Sequence, residues 1–172
     1  MKKNIQRLFF LGFVFLAGLS WNDFVHAADL SVELQNKLAY IREEEKLARD
    51  VYLYLYEMWG TRIFDNLSGS EQTHMNQVKT LLAKYNIPDP EAANGPGMFS
   101  NPEIQSLYNT LILTGSVSLA SALQVGVIIE QTDIEDISEA LALPTYRDIG
   151  NVLGNLRSAS YNHLSAFQSW LK

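Results

Sequence analysis

The chain has 172 residues, 47% apolar and 19% charged, the size and composition of one globular domain. It contains no cysteine, which excludes disulfides, thiolate zinc sites, iron–sulfur clusters, cysteine nucleophiles and a lipidated cysteine anchor. A formal net charge of −6 speaks against nucleic acid as a partner, because phosphate binding calls for a basic face.

Residues 1–27 read as a secretory signal peptide. Lys2, Lys3 and Arg7 give a positive start, Leu8 to Leu19 form a short apolar run, and Val25-His26-Ala27 offers a cleavage site. The run is shorter than the roughly 20 residues of a spanning helix. An uncleaved anchor is the competing reading, and polar Ser20, Asn22 and Asp23 disfavour it. The expected mature protein is exported, to the periplasm or the exterior, and free of the membrane. It comprises one domain, residues 28–172, held by core packing alone. Losing His26 leaves it His74 and His163.

The rest of the chain has helical periodicity and lacks strand signals. A first helix starts at the N-cap Ser31 and ends at Trp59-Gly60, with the inward stripe Leu34, Leu38, Ile41, Glu45, Ala48, Tyr52, Leu55 and Trp59. A second runs from about Arg62 to Tyr85, with the stripe Phe64, Leu67, Glu71, His74, Val78, Leu81 and Tyr85. The short joint between them makes them an antiparallel pair. Residues 86–102, rich in proline and glycine, form a loop. A short helix follows, with Pro102 at its start and Gly115 just past its end, covering an edge. Ser118 caps a third long helix, Leu119 to about Leu141, stopped by Pro144. Its apolar stretch ASALQVGVII makes it the expected most buried helix, with the stripe Leu119, Leu123, Gly126, Glu130, Asp133, Ile137 and Ala140. The last helix, from Tyr146, carries Ile149, Leu153, Leu156, Ser160, His163, Phe167 and Trp170. The expected fold is all-α. It is a ferritin-like four-helix bundle whose middle connection crosses the bundle and carries a short extra helix.

Titratable residues stand where the core should be. Glu45, Glu71, His74, Glu130, Asp133 and His163 lie near the middle of their helices, spread over all four stripes. Burying a carboxylate costs several kcal/mol unless it is paired or bound to a metal. Glu71-x-x-His74 puts two ligand types on one face one turn apart, the unit from which bundle di-metal sites are built. Oxygen and imidazole donors without sulfur suit iron or manganese. Glu43 reads instead as part of a solvated run beside Lys46 and Arg49, and Glu44 is an alternative to Glu45. Glu130 and Asp133 have a bland alternative in an acidic surface continued by Glu135, Asp136 and Glu139, as His163 has in a hydrogen-bonded core histidine. In a metal-free core the carboxylates repel one another, so alanine at Glu71 is expected to raise apo stability.

The segments REEEKLARDVY (42–52), SEQTHM (70–75), IEQTDI (129–134) and SYNHLSAF (160–167) resemble the ferritin-like bacterial family known as domain of unknown function 2202. The resemblance covers roughly residues 35 to 170. More distantly, the pattern is similar to rubrerythrin-type di-iron bundles. That resemblance implies an iron site in which Glu71 bridges, Glu45 and His74 complete one iron, and Glu130, Asp133 and His163 complete the other. Ferrous iron with oxygen or peroxide would be the reactants. Ser160 stands where such bundles carry a further glutamate, a departure that leaves room for an asymmetric pair, a single metal, or a site that no longer activates oxygen. Two other functions compete: a metal carrier or buffer without turnover, and a metal-free structural bundle whose polar core fixes helix register.

Overall fold

The computed structural model describes residues 30–172; the proposed leader, 1–27, lies outside the described residues. Five helices follow in order: α1 (Val32–Trp59), α2 (Arg62–Lys84), α3 (Pro102–Gly115), α4 (Leu119–Ala142) and α5 (Arg147–Trp170). There is no strand among the described residues, and no described helix is long and apolar enough to cross a membrane.

Local chemistry sets the ends. The Ser31 side chain accepts from the Leu34 amide, that of Asn101 from Glu103, and that of Ser118 from Ser121. Gly60, at φ 62°, adopts the left-handed conformation that closes α1, and its amide donates to the Tyr56 carbonyl. Only Gly60 and Thr61 separate α1 from α2, so the pair folds back on itself.

Side-chain pairings give the helix directions. On α1 and α2, Arg49 meets Gln72 while Glu45 meets His74. On α4 and α5, Arg157 meets Ser138 while His163 meets Glu130. On α1 and α4, Lys37 meets Asp136 while Tyr52 meets Glu130. On α2 and α5, Lys84 meets Asp148 while Glu71 meets His163. In every pair one residue number rises as the other falls, so each of these neighbours is antiparallel. The long connection, 85–118, carries α3, which packs on α1 and α4.

The core is two apolar clusters. One gathers Val51, Tyr52, Leu55, Phe64, Val125 and Phe167; the other gathers Leu38, Ile41, Val78, Leu82, Ile137 and Leu153. In the first, the rings of Tyr52, Phe64 and Phe167 pack together, with centroids 5.4–6.3 Å apart. Gly126 leaves room for that packing, since a Cβ there would come within 2.4 Å of the Phe167 ring. Along every long helix the switch from one cluster to the other falls at the polar residues of the stripe. A polar layer therefore divides the interior.

Two expectations fail here. Leu119 and Trp170, at the helix ends, are 36% and 54% exposed, because the stripes run past their partners. The most enclosed helix is α1 rather than α4: α4 leaves Gln124 and Ile128 exposed, whereas α1 is buried at every position from Ile41 to Ala48. The cause is the crossing segment. Lys46 is 2% exposed and donates to Asp50 at 2.7 Å and to the carbonyls of Gly95 and Met98, each at 2.9 Å. Its ammonium also sits 4.2 Å from the centre of the Phe99 ring. Asp50 accepts from the Gly97 amide and Glu43 from the Asn101 amide, each at 2.9 Å. The outer face of α1, read as solvated, is the seat of residues 91–101.

Candidate metal centre

The polar layer holds Glu45 from α1, Glu71 and His74 from α2, Glu130 and Asp133 from α4, and Ser160 and His163 from α5. Helical spacing brings Glu71 and His74 to one face. Their partners arrive from the facing helices at the same height.

His74 Nδ1 lies 2.7 Å from Glu71 Oε2 and 3.1 Å from Glu45 Oε2. His163 Nδ1 lies 2.9 Å from Glu71 Oε1 and 3.4 Å from Glu130 Oε2. Glu71 thus faces one histidine with each of its oxygens. The imidazole rings stack with centroids 5.7 Å apart, far inside the ~10–12 Å diameter of a helix. Two triplets result, Glu45–Glu71–His74 and Glu71–Glu130–His163, each with its donor atoms within 4.8 Å of one another. Two bonds of about 2.0–2.2 Å across one ion span nearly that distance.

Hydrogen bonds alone do not account for this arrangement. His163 Nδ1, Glu71 Oε1 and Glu130 Oε2 are buried and close, yet none has a hydrogen-bond partner in acceptable alignment. In the other triplet two carboxylates face one ring nitrogen, which has at most one hydrogen to give. The orphaned atoms of the Glu71–Glu130–His163 triplet, and the surplus carboxylate facing His74 in the other, fit a cation at the centre of each, and the oxygen–imidazole set fits iron or manganese.

The other residues of the layer divide. Glu130 accepts from the Tyr52 hydroxyl at 2.7 Å, which orients it toward His163. Periodicity marked Tyr52 as core; its place one turn past Ala48 on the Glu45 stripe was the signal for this second role. Asp133 is buried but stands in neither triplet, and Glu45 rather than Glu44 is the α1 member of the first. Ser160 turns away, donating to the Leu156 carbonyl of its own helix at 3.2 Å.

Electrostatics follow from burial. It raises Glu45 to about 8, although His74 opposes the rise. Burial acts the same way on Glu71, but the two histidines outweigh it and hold that carboxyl at about 2. Burial lowers the histidines, and the carboxylates more than reverse this: Glu45 and Glu71 bring His74 to about 10, and Glu130 and Glu71 bring His163 to about 9. Burial, then Glu45, pushes Asp133 well above the usual range. Burial, then Asp136, does the same to Glu44.

The signs give a prediction. His74 and His163 hold protons more tightly folded than unfolded, so their contribution is complete below about 6.5 and is lost as pH rises through 9–10. Glu45, raised to about 8, acts in the same direction above 4.5. Glu71, lowered to about 2, contributes above 4.5 and loses this only in strong acid. The metal-free protein should therefore melt lower at pH 10 than at pH 6, by about 5–10 °C at a few degrees per kcal/mol. Bound metal competes with these protons and should stabilise most at the alkaline end. Calorimetry of the metal-free protein showing a rise across that range would contradict the charge assignment.

The sequence model of the uncharacterised protein domain DUF2202 matches residues 35–172. The chain belongs to the DUF2202 family. A curated relative, the uncharacterised protein MJ0754 of Methanocaldococcus jannaschii, is 49% identical over 138 residues, 80% of this chain and 75% of its own. The crystal structure of hypothetical protein MJ0754 superposes with a TM-score of 0.81 at 48% identity, covering 83% of this chain and 81% of that one. The DUF2202 assignment covers all but the first three residues of α1 and the whole of α2 to α5, and attaches no activity to them.

Proposed function

We propose that this protein is a ferritin-like four-helix metalloprotein that binds two iron or manganese ions, with α1 pairing α2, α4 pairing α5, and the α3 crossover lying outside. The observation that carries the reading is Glu71, buried and shared between two donor triplets, one with its facing atoms unpartnered and the other with two carboxylates on one ring nitrogen. In this reading Glu45, Glu71 and His74 hold one ion and Glu71, Glu130 and His163 the other, with Asp133 beside them. Bound metal would supply an open coordination position for oxygen or peroxide chemistry, or for oxidation of ferrous iron as substrate. Tyr52 would fix Glu130 in place. The two apolar clusters would keep bulk water from the layer. Export rests on the composition of residues 1–27 and belongs to the same proposal.

A second reading, binding without turnover, is favoured by Ser160, which puts a short, internally bonded hydroxyl where a further carboxylate would complete a symmetric pair. Elemental analysis of protein purified from its native compartment should give about two iron or manganese ions per chain, the nuclearity expected of a carboxylate-bridged pair. Less than one ion per chain, with no uptake on reconstitution, would leave a structural bundle. Ferrous oxidation kinetics separate the first two readings.

A further inference from the structure

We infer that divalent cations reach the buried centre along Asp136, Glu44 and Asp133, from an acidic basin between α1, α3 and α4. The inference rests on the two-ion reading and names its route. The basin is open, about 560 Å³ in volume, and is lined by Glu33, Lys37, Tyr40, Glu43, Glu103 and Asp136. Lys37 is the one cationic group among the described residues that line it. Asp136 is one of its lining residues, and the Glu44 carboxyl abuts it. Glu44 in turn shares a cavity of about 20 Å³ with Asp133, walled by Leu107 and Leu111 of α3. About 10–15 Å³ suffices for one water-sized occupant. Asp133 lies in the field of Glu45 and Glu130, one from each triplet. Carboxylates thus stand in the open basin, in the inner cavity and around the centre.

Two features mark this run as more than an acidic surface. Glu44 is 5% exposed and its Oε2 has no hydrogen-bond partner among the described residues, so a costly oxygen is held ready inside the wall. Neither Glu44 nor Asp133 belongs to a ligand triplet, so metal retention does not explain their burial. Carboxylate oxygens without sulfur or imidazole would pass a hard divalent cation in steps and hold it weakly at each. Lys37 donates to Asp136 at 3.1 Å and to Glu139 at 2.5 Å, occupying the first carboxylate an incoming ion would meet.

The probe is cobalt(II) alone, mixed with metal-free full-length protein and followed by stopped-flow absorbance, with the final stoichiometry from elemental analysis. Glu44→Gln and Asp136→Asn should each load about tenfold more slowly, the lower end of what a focused charge does for association rates. Both should reach the wild-type stoichiometry. Lys37→Gln should load faster, a direction that damage to folding does not produce. Circular dichroism verifies that each variant is folded, and the Asp136 variant serves if the Glu44 variant is not. Unchanged rates at full stoichiometry would overturn the route and leave the centre intact. A lower final stoichiometry in Glu44→Gln would make Glu44 a ligand and also overturn it. Absence of binding in the wild type would remove the two-ion reading itself.

Discussion

Glu71→Ala should abolish binding at both positions together, a loss of more than about 100-fold in affinity, since removing merely an outer partner of a metal ligand costs about 10–100-fold. Among the described residues no other side chain faces both histidines: His74 lies 2.7 Å from one Glu71 oxygen and His163 2.9 Å from the other. Glu45→Ala or Glu130→Ala should instead weaken one position and leave the other filled. The metal-free protein should lose stability as well, which reverses the expectation drawn from mutual repulsion. Glu71 is the anion that both histidines share, and without it each keeps one carboxylate, Glu45 beside His74 and Glu130 beside His163. That remaining partner limits the cost to about 1–3 kcal/mol, the range for a partner left unsatisfied, rather than that of a stranded charge. Titration calorimetry gives the affinity and denaturant midpoints give the stability. A variant that still holds two ions, or an apo form more stable than wild type, would contradict the shared role.

Lys46→Met should be the most destabilising single change outside the polar layer, by about 3–5 kcal/mol, the cost of removing one partner from a buried charge network. Methionine keeps the length and apolar body of the side chain, so the effect reports the charge. Asp50 and Glu91, at 2.7 and 3.6 Å from the ammonium, would lose their shared cation, as would the carbonyls of Gly95 and Met98. Asp50 keeps Arg49 at 2.6 Å, which places the expected value near the lower end. Loss of this tie should release residues 91–101 first, since Gly97 is held to Asp50 and Asn101 to Glu43. Hydrogen exchange should show reduced protection there while the polar layer keeps its metal. A change under about 1 kcal/mol would mean that the crossing segment is held by apolar contacts instead, within the spread of surface substitutions and small repackings.

Much of this architecture was legible in the sequence because its causes are local. Ser31, Ser118 and Gly60 act within one turn of their own helices, so the ends of α1 and the start of α4 follow from them. The stripes placed Glu45, Glu71, His74, Glu130 and His163 at one height, since helical period and a buried face are both functions of spacing. Burial of Asp133 was legible by the same means; its place outside the two triplets was not, because ligand reach depends on how α4 turns against α1 and α5.

Glu43, Glu44 and Lys46 show what only the tertiary structure decided. In sequence they resemble a solvated charged face, with i,i+4 pairs and no apolar stripe. Their burial depends on residues 91–101 and on α3, some fifty positions away, settling on that face with carbonyls and amides that match its charges. No periodicity within α1 encodes this, because the energy comes from partners the helix does not contain. The same holds for Glu71. Its spacing announced a ligand, but its division between two histidines required α5 to arrive antiparallel to α2 at the correct height. Local sequence therefore determined which residues face inward. The packing of distant segments decided which of them meet, since desolvation is relieved only by groups that arrive together.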